Sequence, residues 1–332
     1  MNEIGIKCGS LNTAIAYRDE NNKIKKDCDR TCIRYPKDFV HGHMKPIVGE
    51  KAFGFDDTIS PLNLGVVEDE DGLQHTIDIL TKFNIPKDAP LIVLASPAME
   101  ISEGKRRLVT AIDTVASPKN IKECSEGLCS AIYILGNTNI LSETFFTLNL
   151  GSSTTEFGCV SDGDVIHLSA NGDVSGNTVD NAIQNKIRNS VSGAMFDPSE
   201  ICKMKENTSL KSPKEFVIKG TSRKGFTEVT ISDEVISSIN EYSDVVADFL
   251  QNEILNSNKI TPRIRKKAIE MPLIISGGMS NIEGLPELII QKLNEKINFN
   301  FKPKYTKLGD GHIAPAYGAL MLAEEITKEE GL

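Results

Sequence analysis

No run of apolar residues in this chain approaches the roughly 18 to 20 needed to span a bilayer, so no membrane-crossing helix is expected. The opening MNEIGIKCGS has neither the apolar core of a signal peptide nor a basic amphipathic anchor, and the chain is expected to begin and remain in the cytoplasm without direct membrane insertion. Positive charge is also short: 37 Lys and Arg against 46 Asp and Glu leave a net charge of −9. Phosphate backbones are held by clustered cations, so nucleic acid is not expected as a partner. The basic runs Lys23 to Lys26 and Arg263 to Lys267 are short and read as solvated faces. A disulfide framework is missing too. The 7 cysteines are odd in number and scattered, which suits reduced thiols. Cys28, Cys32, His41 and His43 follow no familiar zinc spacing, and no metal site is expected from them. No low-complexity linker divides the chain, so its halves should share a cleft rather than swing on a tether.

What is present is a foldable chain of 332 residues, 39% hydrophobic and 25% charged, long enough for two domains or two lobes. IGIKCGSLNTAIAY is a hydrophobic strand broken by Gly9, Ser10 and Asn12 and then resumed, the pattern of a hairpin with a polar tip. Residues 31 to 66, rich in Gly and Pro, read as a small irregular excursion. Helical spacing predicts helices over Asp69 to Phe83, Glu103 to Val115, Ser125 to Tyr133, Thr178 to Val191 and Val235 to Leu255, with a last helix from Ala314. LIVLASP, FFTLNL, EVTIS and MPLIISGG read as strands, and a helix is expected near Gly284. GSSTTEFGCV repeats the strand, glycine, hydroxyl cluster, strand pattern of the N-terminus, which points to a duplicated lobe.

Phosphate can be held without a basic pocket where small residues let backbone N–H groups approach its oxygens. Gly9-Ser10-Leu11-Asn12-Thr13 and Gly151-Ser152-Ser153-Thr154-Thr155 both meet that need, and Gly277-Gly278-Met279 adds a third glycine turn. One such hairpin is usually only a hairpin. Three in this order suit two lobes gripping one nucleotide.

In these pieces and their spacing the chain resembles the actin-like ATPase superfamily, and within it the bacterial and archaeal filament proteins of the MreB and MamK type, MamK most of all. RYPKDFV with IVGEKAF looks like the outer subdomain of a first lobe, and VIKGTSRKGFTEVTISDEV like that of a second. LIISGGMSNIEGLPELI resembles the adenosine-contacting strand and helix, and YGALMLAEE the closing helix. The resemblance implies an α/β, actin-like (ribonuclease H-like, duplicated) two-lobe fold of four subdomains around a central nucleotide cleft. The first lobe is then expected over residues 1–146 plus 306–332, with its outer subdomain at about 31–66. The second is expected over 147–305, with its outer subdomain at about 190–241.

The same resemblance implies ATP or ADP, with GTP as the alternative, held by Lys7, Gly9, Ser10, Leu11, Asn12, Asn149, Gly151, Ser152, Ser153, Thr154, Gly176, Gly277, Gly278 and Met279. DPSEICKMK resembles the base-clamping helix, which nominates Glu200 and Lys203. Glu126 matches the glutamate that positions the attacking water, although by itself it reads as a helix-start carboxylate favoured by the helix dipole. The family places an aspartate before each phosphate turn to organise Mg²⁺; this chain has Lys7 and Asn149. Mg²⁺ would meet repulsion at Lys7, so weak or lost hydrolysis is expected, with Lys7 taking over part of the cation's role. His312 reads as a capping or surface residue. The function expected is a cytoplasmic protein that self-associates into filaments, with adaptor and cargo unspecified. The alternative is a non-filamentous ATPase or pseudo-ATPase of the same fold, chaperone-like or enzyme-reactivating; the short ITKEEGL after the closing helix is expected to leave no room for a substrate domain.

Overall fold

The computed structural model describes residues 3–36, 45–97, 102–191, 193–222 and 225–331. His41, His43, most of the PKDFV segment and Arg223–Lys224 of the second outer hairpin lie outside the described residues.

Two five-stranded mixed sheets form the centre of the molecule, and their strand orders match. In the first, the antiparallel meander Ile4–Cys8, Asn12–Arg18 and Ile24–Arg30 is extended in parallel by Ile92–Ser96 and Ile121–Ser125. In the second, Thr144–Leu150, Asp164–Asn171 and the intervening Thr155–Ser161 form the meander, extended in parallel by Leu273–Ser276 and Pro303–Tyr305. The central strands are buried along nearly their whole length, as expected where both faces are covered. The edge strand Ile24–Arg30 is the opposite: IKKDCDR is mostly exposed, and its charges discourage pairing with another sheet edge.

Among the described residues nine α-helices cover the sheets. In the first half α1 (Glu70–Lys82), capped by Asp69, precedes the strand Ile92–Ser96, and α2 (Ser102–Ala116) connects that strand to Ile121–Ser125. Helix α3 (Glu126–Leu135) leads into the second half, which holds α4 (Gly176–Ser190), α5 (Pro198–Glu206), α6 (Ser232–Asn256), α7 (Pro262–Glu270) and α8 (Leu285–Lys296). Helix α9 (Ala314–Glu330) closes the chain. α6 runs 25 residues without Gly or Pro, burying Val235, Ile239, Tyr242, Val246, Leu250 and Ile254 at helical spacing. At about 1.5–3 kcal/mol for each large side chain removed from water, that stripe is worth on the order of 10 kcal/mol before entropy is charged. α7 carries the basic run but is more than a solvated face, because Arg265 donates from Nε to the Ile254 carbonyl (2.6 Å) and from Nη2 to that of Leu255 (3.1 Å), closing the end of α6.

α9 returns to the first sheet through two close approaches. A Cβ at Gly5 would overlap the Ala316 carbonyl, and one at Gly318 would overlap the backbone of Cys129 in α3. Only glycine lets the helix reach both strand and neighbour. Residues 33–34 with 47–48, and 62–63 with 66–67, form two small ladders beside the first sheet. Met195–Phe196 pairs with the hairpin Val217–Ser222 and Gly225–Thr230 beside the second.

Candidate functional site

The hairpin that opens each sheet turns in the same way. Cys8 faces Thr13 and Leu150 faces Thr155 in register, and between them Gly9 N–H donates to the Asn12 carbonyl (3.1 Å) while Gly151 N–H donates to that of Thr154 (2.8 Å). Lys7 and Asn149 therefore occupy equivalent places, two residues before their glycines. The tips meet across the molecule, with Ser10 Oγ 2.9 Å from Ser153 Oγ. The carbonyls of Gly151 and Ser152 accept from the N–H groups of Gly176 and Asn177 at the start of α4. The third turn follows the strand Leu273–Ser276. Gly277 has φ +93°, and a one-turn 3₁₀ helix, Gly278–Asn281, precedes α8, so α8 does not start at the glycines.

These turns converge on one narrow cleft. Its lining includes Lys7, Leu11 and Asn12 from the first turn, Gly151, Ser152 and Gly176 around the second, and Gly277, Gly278 and Met279 from the third. Glu126 and Asn149 form its floor. The cleft has a free volume of about 40 Å³, far below the several hundred Å³ of ligand pockets. A ligand of nucleotide size enters only if the walls part.

A hydrogen-bonded chain sets the floor. Asn149 Nδ2 donates to Glu126 Oε2 (2.9 Å), and Ser276 Oγ donates to Asn149 Oδ1 (3.3 Å). Glu126 stands at the first turn of α3, where Ser125 caps Leu128 N–H and the helix dipole favours a carboxylate. Asn149 is the residue type this arrangement needs, since an amide can donate to Glu126 while a second carboxylate would repel it. Asn149→Leu leaves both a buried carboxylate and a buried hydroxyl without a partner. We expect a stability loss of about 2–3 kcal/mol, read by denaturant unfolding; an unchanged midpoint contradicts the arrangement.

On the far wall the structure differs from the sequence expectation. Glu200 is exposed on α5, outside the lining, and Lys203 turns away to Glu50 (2.9 Å) and over the Phe53 ring. The lining residues of α5 are Lys205 and Glu206. Helical periodicity accounts for this: Ile201, Cys202 and Lys205 are the buried face, and Glu206 lies one turn beyond Cys202. Lys205 donates to Asp180 (2.7 Å) and to the Gly176 carbonyl (2.9 Å). Glu206 receives a bidentate pair from Arg30 of the first sheet, at 2.8 and 2.5 Å, and Arg30 also reaches Glu50 (3.0 Å) across Phe53. Burial alone would raise the Glu206 carboxyl, but Arg30's hydrogen bonds and charge outweigh it and hold the carboxyl below its ordinary value. His312 is likewise in the lining, with Nδ1 3.2 Å from Asn12 Nδ2. Burial, then the nearby Lys7, bring its imidazole down to about 4, so it is neutral at physiological pH. With the Asn12 amide donating to Nδ1, the proton sits on Nε2.

The donor set around the turns does not suit Mg²⁺, the ion the resemblance implies: one turn carries an ammonium and the other an amide already donating to Glu126, where a carboxylate would be needed.

A family model described as Salactin matches residues 1–327. The chain belongs to the Salactin family. The Salactin-family chain is 26% identical to Salactin of Halobacterium salinarum (strain ATCC 700922 / JCM 11081 / NRC-1) over 335 residues, which is 97% of this chain and 91% of that protein. Its fold is the actin-like two-lobe fold of the MreB and MamK type. It matches the MamK double helical filament with a TM-score of 0.79 at 20% identity, over 97% of this chain and 98% of the other. It matches MreB 5 of Spiroplasma citri bound to AMPPNP with a TM-score of 0.80 at 18% identity, over 100% and 99%. No helix of the described residues is long and apolar enough to cross a membrane.

Proposed function

We propose that this chain is an actin-like nucleotide-binding protein that holds ATP or ADP between its lobes and polymerises head to tail in the cytoplasm. The observation that carries the reading is the pair of matching hairpins, each closed by a glycine N–H, facing one another over a cleft whose third wall is Gly277–Met279. In this reading the turns of Gly9–Asn12 and Gly151–Thr154 take the phosphates, and Gly277–Met279 with Gly176 takes the nucleoside. Glu126 orients a water, and the network through Asn149 keeps any hydrolysis slow. The lobes divide as residues 1–146 with 306–332 and residues 147–305, and nucleotide occupancy biases their closure. The MamK double helical filament, of the same fold, supports self-association, and the MreB5 structures bound to AMPPNP and ADP support the ligand class. A filament requires two different complementary surfaces whose rotation does not close.

Negative-stain electron microscopy of the purified chain with ATP, with ADP and without nucleotide tests this. Filaments are the expected result. A persistent monomer or a closed dimer in all three conditions contradicts polymerisation and favours a non-filamentous signalling or reactivating role.

A further inference from the structure

We propose that Lys7 is the resident counter-charge for the polyphosphate, so that the cleft binds a nucleoside di- or triphosphate without a divalent cation; this rests on the nucleotide reading given above. Two ammonium groups line the cleft. Lys205 is committed to Asp180 and the Gly176 carbonyl. Lys7 reaches only the Asn12 carbonyl (3.1 Å) and carries no carboxylate partner among the described residues. A half-buried cation held only by a carbonyl has lost hydration without gaining a counter-charge, and a phosphate in the first turn supplies that charge.

The local sequence makes room for this role. A Cβ at position 9 would overlap the Lys7 ammonium, so Gly9 keeps open the space into which the side chain folds, directly over the turn. The carboxylates nearby are engaged elsewhere, Glu126 by Asn149 through Oε2 and Glu206 by Arg30, and neither forms an ion pair with Lys7. His312, which meets the first turn through Asn12, is neutral and adds no competing charge.

Calorimetric titration of the full chain with ADP and with ATP, once in excess EDTA and once in Mg²⁺, tests the assignment. The affinity in EDTA should lie within about threefold of that in Mg²⁺. Lys7→Ala should weaken ADP in EDTA by about tenfold or more, the loss of one charge-assisted contact, and leave adenosine unchanged. Lys7→Arg should retain wild-type affinity within about threefold, and Lys7→Asp should bind only when Mg²⁺ is present. Wild-type binding that disappears in EDTA and returns with Mg²⁺ overturns the proposal while leaving the nucleotide reading standing. So does a Lys7→Ala variant that binds ADP like the wild type. Absence of binding in both media overturns the nucleotide reading itself.

Discussion

Gly277→Ala should lower stability by about 3 kcal/mol and weaken nucleotide binding at least tenfold. Two costs add at this position. The backbone has φ +93° and ψ 166°, a region open essentially to glycine alone, which costs another residue about 1–3 kcal/mol. The new Cβ would also overlap the backbone of Leu150, the last residue before the second phosphate turn, at a similar cost for overpacking. Because the obstacle is main chain rather than a movable side chain, relief requires the strand Thr144–Leu150 to shift against Leu273–Ser276. That shift displaces Asn149 and Gly151 together, which is why binding falls as well as stability. Gly136→Ala is the control: φ is +76° but nothing lies within 4 Å of the added Cβ, so only about 1 kcal/mol is expected. Calorimetric unfolding of the two variants separates strain from overlap, and equal losses would refute the argument.

Arg30→Ala should loosen the closed cleft, costing about 2 kcal/mol and raising hydrogen exchange in α5. The guanidinium is nearly enclosed, with 10% of its side chain exposed, and makes a bidentate pair with Glu206 across the cleft. Removing one partner of a buried pair costs about 3–5 kcal/mol, and the 25% exposure of Glu206 lets water recover part of that. The pH dependence has a definite sign. Glu206 titrates below its ordinary value of 4.5 in the folded chain, so the pair's contribution is complete above that pH and is lost as pH falls through the depressed value. Wild type and Arg30→Ala should therefore differ at neutral pH and converge in acid. A stability difference that persists undiminished in acid would show that Arg30 acts through packing on Phe53 instead.

Much of this fold was legible because its elements announce themselves locally. The periodic stripe from Val235 to Ile254 marks α6, and the apolar runs at 92–96 and 144–150 mark buried strands. Elements without that pattern were lost to charge. Lys23–Lys26 reads as a solvated face because an edge strand exposes both its sides, and α7 is short, polar and held by Arg265's bonds to α6. The phosphate turns were legible through their glycines, and their matching registers give that repetition a structural basis. The far wall was not. Glu200 and Lys203, nominated by the resemblance of DPSEICKMK to a base-clamping helix, lie off the buried face that Ile201 and Lys205 set at i and i+4. The Arg30–Glu206 pair joins residues 176 apart, and His312 sits in a loop where no periodicity reports burial.

The central claim is that three glycine turns, distant in sequence, form one nucleotide site. Hydrogen–deuterium exchange with saturating ADP measures it directly. Protection should appear together in the peptides spanning Gly9–Asn12, Gly151–Thr154 and Gly277–Met279. Protection confined to one of the three, or to none, would contradict a shared site.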